Sequence, residues 1–153
     1  MCFEKALKEI LKDDNVRRQI ANQIARQDKR DPRDVDRYLR LIRDGKRGLG
    51  KKWRNRLSRR EFEIDIDLSG GKVPLRPAEG DHLGDYTLLF RKDIDGFMRR
   101  HQKRLVYRGR FGSLDEAERY AADLRDAGYP YGLYIVVDCK GNYHIFTDRS
   151  LNE

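Results

Sequence analysis

The residues whose types and spacing are most suited to chemistry are cationic. Residues 46–60 contain eight Lys or Arg side chains and no acid. Each cation that neutralises a phosphate releases condensed counterions, so this run favours polyanion binding without base contacts. Three further arginines before the run, spaced by four and three residues, would form one ridge of a helix. We therefore predict contacts to nucleic-acid phosphates at nine positions: Arg33, Arg37, Arg40, Lys46, Arg47, Lys51, Lys52, Arg54 and Arg56.

The basic excess is confined to one part of the chain. The 153 residues carry a net charge of +8. Residues 1–60 hold 20 Lys and Arg against 9 Asp and Glu, a net of +11, whereas residues 61–153 hold 14 against 17, a net of −3. Such asymmetry is typical of proteins with an anionic partner. The partner is nucleic acid or, as an alternative, an acidic protein surface bound by a protein-only interaction module.

A second candidate for chemistry is an acidic alternation in residues 61–68. Its acids at every second position include Asp65 and Asp67. Carboxylates this close repel each other, so the row is solvated, neutralised by a metal cation, or packed against the basic helices of the same chain. The sequence leaves these three possibilities open, and we assign no metal ligand.

This alternation resembles the paired metal-binding aspartates of the archaeo-eukaryotic primase superfamily. Residues 140–146, which include His144, are similar to the glycine–x–histidine nucleotide-binding strand of that superfamily, with Asp148 available as a third carboxylate. The resemblance implies two-metal nucleotidyl transfer. A metal-dependent nucleotidyltransferase or nuclease that uses Asp65 and Asp67 is therefore an alternative function.

The remaining chemistry-bearing residues form no recognisable motif. His82, His101 and His144 have no partner at a catalytic or metal-binding spacing, and we expect His144 to be half exposed. Cys2 and Cys139 form no disulfide or zinc pattern, which favours a reducing compartment. No glycine-rich phosphate loop follows a strand. We predict no cofactor, and a binding protein is favoured over an enzyme.

The elements that position the cationic residues are helical. Apolar residues recur at helical spacing in residues 3–11, 15–28, 32–44 and 49–57, which predicts three to four helices. Asp31 and Pro32 predict the start of the third helix, and Gly45 its end. The second and third helices also fit a helix-turn-helix, with Arg43 joining the predicted arginines as a groove contact. Trp53 is expected to be a core anchor of the fourth helix.

The second part of the chain has the period of strands. Strands are predicted at residues 61–68, 73–76, 86–91, 104–111, 133–138 and 143–147, with helices after Asp93 and after the capping box that begins at Ser113. Strict alternation would put Arg108 and Arg110 on one face, among aromatic residues suited to RNA. The fold class is α+β: a basic N-terminal helical part, then a mixed, mainly antiparallel sheet with one or two helices. The chain divides into a basic helical region, residues 1–60, and an α+β region, residues 61–153. These regions form either two domains or one shared core.

The composition also limits the location and the role of the protein. No stretch approaches the length of a membrane span, and the first residues have no secretory signal, so we expect a cytoplasmic protein. Small chains without an enzyme motif are common among phage and plasmid accessory proteins. Because the acidic-faced second half would be available to contact a protein, we expect a nucleic-acid-binding adaptor, or an inhibitor that acts on a nucleic-acid-handling complex.

Overall fold

The computed structural model describes residues 2–66, 84–127 and 132–149. In these residues the chain forms six helices and a sheet of five strands. The helices are α1 (Cys2–Leu11), α2 (Asp14–Asp28), α3 (Pro32–Arg43), α4 (Lys51–Arg59), α5 (Ile94–His101) and α6 (Leu114–Asp126). The strands are β1 (Glu61–Ile64), β2 (Tyr86–Phe90), β3 (Leu105–Phe111), β4 (Leu133–Val137) and β5 (Tyr143–Asp148). The predicted α+β class is confirmed, and the predicted strand at residues 73–76 lies outside the described residues.

The helices begin where local capping chemistry predicts. The side chains of Asp13 and Ser113 each accept a hydrogen bond from the backbone N–H three residues later, and Asp31 accepts one from the N–H two residues later. Pro32 occupies the first turn of α3. These bonds satisfy donors that an uncapped helix start leaves without a partner.

The end of α3 is a Schellman motif. Gly45 adopts a left-handed φ of 72°, a conformation that side chains with a Cβ disfavour. The Lys46 N–H donates to the Leu41 carbonyl at 2.9 Å, and the Gly45 N–H donates to the Ile42 carbonyl at 3.1 Å. The motif ends α3 sharply, and the short connection that follows leads to α4, which begins at Lys51.

The sheet has the strand order β1-β2-β4-β5-β3. Among the strands of the described residues, the β2–β4 pair is parallel and the other three pairs are antiparallel, so the predicted mixed, mainly antiparallel sheet is confirmed. Strand β1 ends at Ile64, earlier than the alternation predicts, and residues 67 and 68 lie outside the described part of the chain.

The buried side chains of residues 2–66, 84–127 and 132–149 form one large cluster and one small one. The large cluster joins residues of α1–α4 and α6 to one face of the sheet, so side chains on both sides of residue 60 contribute to it. On the opposite face of the sheet, the α5 face, Phe97 packs with Leu89, Val136 and Phe146. The basic helices are therefore held to the sheet by apolar burial, the largest favourable contribution to folding.

Helix α2 closes the outer edge of β1 with two glutamine amides. Gln23 Oε1 accepts from the Glu63 N–H at 3.0 Å, and Gln23 Nε2 donates to the Glu63 carbonyl at 2.6 Å. Gln19 makes the same pair of bonds with the Asp65 backbone, at 2.7 and 2.9 Å. An edge strand with open hydrogen-bonding groups invites pairing with another chain. The two amides block that pairing and fix α2 against the sheet.

Strand β3 contains a bulge that interrupts the alternation of side chains predicted for it. Its pairing with β5 shifts by one residue between Tyr107 and Gly109, where Gly109 has a φ of 146°. Arg108, the extra residue, donates from Nε to the buried hydroxyl of Thr147 at 2.8 Å. Arg108 and Arg110 therefore do not share a face as predicted, and Tyr107 and Arg110 are both on the α5 face.

Candidate nucleic-acid interface

Helices α3 and α4 enclose a shallow concavity of about 350 Å³, the α3–α4 groove. Its polar and aromatic lining comes from the turn after α2, from α3, from the turn after α3 and from α4: Arg30, Asp34, Arg37, Tyr38, Arg47 and Trp53. Three of these side chains are cationic and one is acidic. The groove is therefore a cationic depression with an aromatic floor, a combination typical of surfaces that bind nucleic-acid strands.

The aromatic floor is a stacked pair that carries arginines. The rings of Tyr38 and Trp53 are 4.9 Å apart between centroids and inclined by 30°. The Arg47 guanidinium lies 4.8 Å from the Tyr38 centroid, and the guanidinium groups of Arg30 and Arg56 each lie 5.7 Å from the Trp53 centroid. Such contacts are attractive and restrict the long side chains. Trp53 is half-buried against the core, so it both anchors α4 and positions cations.

Of the nine predicted cations, three form an ion pair, one is half-buried without an ion pair, and five are exposed without one in the described part of the chain. Ion pairs hold Arg33 to Asp31 at 3.3 Å, Arg40 to Asp36 at 3.1 Å, and Arg56 to Asp28 at 3.2 Å. Arg54 is half-buried, with its Nε enclosed and without a hydrogen-bond partner. In the described part of the chain, no ion pair forms at the other five, which are all exposed: Arg37, Lys46, Arg47, Lys51 and Lys52.

A buried ionic network joins α2 to α3 and accounts for further arginines. Arg17 is buried and bonds to the carboxylates of both Asp14 and Asp36. Burial alone would lower the pKa of Arg17, but these two partners outweigh it and raise the pKa. Arg43, a groove contact under the helix-turn-helix interpretation, is half-buried and bonds to Asp44 at 2.9 Å. This side of α3 therefore stabilises the helix pair, whereas the α4 side presents unneutralised charge.

Sequence reasoning missed Arg30 as a member of the groove. Arg30 follows the left-handed C-cap Lys29 in the turn between α2 and α3, outside the basic run. Its contact is with Trp53 in α4, which only the tertiary packing brings within reach. The signal in the sequence was weak, because one arginine in a turn between helices is common on any basic surface.

The acidic strand meets α2 through the glutamine amides described above. The Glu63 carboxylate accepts from the Thr87 hydroxyl at 3.2 Å, and burial raises the pKa of Glu63. Among residues 2–66, 84–127 and 132–149, no three His, Cys, Asp or Glu side chains are grouped so that they could hold a metal ion. Asp67, the partner of Asp65 in the metal-dependent alternative, lies outside the described residues.

Comparison of the chain with protein-family models, with curated proteins and with solved structures finds no significant match in any of the three. None of the described helices combines the length and the apolar character needed to cross a bilayer. The chemistry of the α3–α4 groove therefore carries the functional argument.

Proposed function

We propose that the protein binds nucleic acid through the α3–α4 groove, by contacts to phosphates. The observation that carries the proposal is the stack of Arg47, Tyr38 and Trp53, with Arg37 and Arg30 at the same groove. Arginines held on aromatic rings lose less conformational freedom when they bind a phosphate, so the surface is preorganised for a polyanion. In this proposal the protein is cytoplasmic and acts as an adaptor or inhibitor on a nucleic-acid-handling complex.

The five unneutralised cations set the strength of the expected salt dependence. If each contacts one phosphate of a duplex, log K falls with log salt at a slope of about −4.5, and about −3.5 for a single strand. Between about 50 and about 200 mM salt, duplex affinity would then fall about five-hundredfold. Cations that already pair with Asp28, Asp31 or Asp36 contribute less, because binding must first break an existing interaction.

The test compares two triple variants with the same change in net charge. The first replaces Arg37, Arg47 and Lys52 with Gln in the groove and at the start of α4. The second replaces three exposed cations in and after α5 with Gln: Arg99, Arg100 and Lys103. Fluorescence anisotropy with labelled single- and double-stranded DNA and RNA, over a salt series, gives the slope and affinity of each protein.

We expect the groove variant to bind at least tenfold more weakly than the wild type. The slope of log K against log salt for the duplex should become less negative by about 2.7. The control variant should keep nearly the wild-type slope. Equal losses in both variants would show that net charge alone drives the binding and would overturn the proposed site. Absence of binding to all four nucleic acids at low salt would overturn the proposed function and favour an acidic protein partner.

A further inference from the structure

A second concavity, of about 510 Å³, lies on the α5 face of the sheet. Among the residues that the structure describes, it shares none with the α3–α4 groove. Its lining includes Tyr107, Asp138 and His144, together with three cations and two further carboxylates: Lys92, Arg110, Lys140, Asp93 and Asp95. A phenol, an imidazole and a carboxylate at the edge of one open cavity are groups that can transfer protons.

The three titratable side chains form one hydrogen-bonded chain. His144 Nε2 lies 2.9 Å from Asp138 Oδ2, and His144 Nδ1 lies 3.1 Å from the Tyr107 hydroxyl. His144 is 5% exposed, so the expectation of a half-exposed His144 is wrong. Asp138 is 8% exposed, whereas Tyr107 is 40% exposed. Tyr107, the reactive end of this hydrogen-bonded chain, therefore faces the cavity, and His144 and Asp138 are buried behind it.

The surroundings of Asp138 fix the proton positions in this chain. Burial alone would raise the pKa of Asp138, but hydrogen bonds from His144 and from the backbone N–H groups of Asn142 and Lys140 outweigh it and lower the pKa. An ionised carboxylate only accepts hydrogen bonds, so a neutral His144 carries its proton on Nε2. His144 Nδ1 is then an acceptor, and the Tyr107 hydroxyl donates to it.

The bulge in β3 brings a cation to the same side of the strand. Tyr107 and Arg110 are three residues apart, a spacing that regular alternation places on opposite faces. The shift between Tyr107 and Gly109 instead makes Arg110 the strand partner of His144. Bulges that redirect side chains in this way are over-represented beside active sites.

We propose that Tyr107 is a nucleophile for phosphodiesters, with His144 as its general base and Asp138 as the positioning residue of His144. The distances are those of a nucleophile, a base and a group that orients the base. The Tyr107 oxygen forms a bond to phosphorus, the bond from phosphorus to the leaving oxygen breaks, and the Tyr107 proton passes to His144 Nδ1. The alkoxide, which leaves on the side of phosphorus opposite Tyr107, takes a proton from solvent, and His144 returns its proton to solvent, so atoms and charge balance.

The electrostatics explain why the phenol needs the base and why phosphorus is the target. Burial raises the pKa of Tyr107, Arg110 partly opposes that effect, and Asp138 adds to it, so the phenol is protonated at rest. In the described part of the chain, Lys92, Arg110 and Lys140 form no ion pair. A guanidinium matches the two non-bridging oxygens of a phosphodiester, whose charge grows in the transition state.

The first test is covalent labelling with bis(4-nitrophenyl) phosphate. We expect a burst of about one equivalent of 4-nitrophenolate per protein, with the adduct located on Tyr107 by peptide mass spectrometry. Tyr107→Phe keeps the ring contacts with His144 and Phe146 and should give no burst. His144→Gln should slow labelling about a hundredfold or more. A labelled single-stranded oligonucleotide in a parallel reaction shows whether nucleic acid or only a small diester is attacked.

The controls separate this site from other nucleophiles and from a loss of fold. Cys139 lines the same cavity, so Cys139→Ser should label at the wild-type rate. Tyr120→Phe, in α6 and outside the cavity, should also be unchanged. Unfolding midpoints in urea check each variant. An adduct on Cys139, labelling of Tyr107→Phe at the wild-type rate, or no adduct with either diester overturns the proposal.

The role of Asp138 has a spectroscopic test of its own. Asp138→Asn would turn an N–H toward His144 Nε2, because the backbone N–H groups of Lys140 and Asn142 hold the other side-chain oxygen. The imidazole proton should then move to Nδ1, which nitrogen NMR detects, and labelling should slow with it. An unchanged tautomer would overturn the assignment. Neither test depends on the α3–α4 groove, so failure of one proposal leaves the other intact.

Discussion

Glu118 in α6 should make the stability of the protein depend on pH near neutrality. This carboxyl is 7% exposed and accepts a hydrogen bond from the Tyr86 hydroxyl at 3.0 Å. Burial raises the pKa of Glu118 from 4.5 to about 7, and the nearby charges of Asp13, Asp115 and Asp85 add to the effect, although the Tyr86 bond opposes it. The variant Glu118→Gln keeps an oxygen that accepts the Tyr86 hydrogen bond and removes the titrating carboxyl group.

The sign and the size of the effect follow from proton linkage. Between pH 4.5 and about 7 the folded protein binds the Glu118 proton more tightly than the unfolded chain does. The free energy of unfolding therefore falls as the pH rises through this window. A difference of about 2.5 pKa units corresponds to about 3 kcal/mol. Glu118→Gln should thus match the wild type near pH 4.5 and exceed it by about 3 kcal/mol at about pH 8.

Urea unfolding of both proteins at intervals from about pH 4.5 to about pH 8 measures the difference. Comparison at each pH cancels groups common to both, including His101, whose pKa is lowered by burial. Carboxyls with a lowered pKa, such as Asp14 and Asp138, change the free energy of unfolding only as the pH falls below their ordinary pKa of 3.8. Glu116→Gln is the matched control, because it makes the same chemical change at an exposed position of α6.

A constant difference between wild type and Glu118→Gln across this range would refute the reasoning, since it would show that folding does not change the proton affinity of Glu118. The same conclusion would follow if Glu116→Gln produced an equal pH-dependent gain, because an exposed carboxyl has no comparable desolvation to relieve.

Two further predictions concern the C-terminal end of α2 and the contact of α2 with the edge of β1. Lys29 has a left-handed φ of 54°, so Lys29→Gly should raise the free energy of unfolding by about 1 kcal/mol, as measured in urea, whereas Lys29→Ala should give no such gain. Gln23→Ala removes both amide bonds to the Glu63 backbone and should lower the free energy of unfolding by about 1–2 kcal/mol. Gln27→Ala, an exposed position of the same helix, is the control and should change it by less than about 0.5 kcal/mol.

The features that the sequence predicts best are those decided by local chemistry. The caps at Asp13, Asp31 and Ser113 depend on one side chain and a backbone N–H two or three residues away, so the spacing alone identifies them. The same holds for Gly45, which only has to adopt a left-handed conformation. Apolar periodicity likewise predicts helices α1–α4 and α6, because each buries one side against the same large cluster.

The features that the sequence does not predict depend on pairing between distant segments. The bulge at Gly109 shows only when β3 is aligned with β5, and it separates Arg108 from Arg110 in a way that regular alternation cannot anticipate. Asp138 and His144 are six residues apart in a hairpin, a spacing without a motif. Tyr107 reaches them from another strand, so the hydrogen-bonded chain is a product of sheet register.

A count of basic residues overstates the charge that the helical part offers to a polyanion. Asp28 pairs with Arg56 and Arg60, and Asp36 pairs with Arg17 and Arg40, so two acids of the helical part hold four arginines. Which cations they neutralise is decided by how α2, α3 and α4 pack, not by distance along the chain. The unneutralised cations that remain lie beside the α3–α4 groove and along the start of α4. A salt slope near that of nine phosphates would therefore require these ion pairs to break on binding, whereas a slope near that of five would leave the helical packing intact.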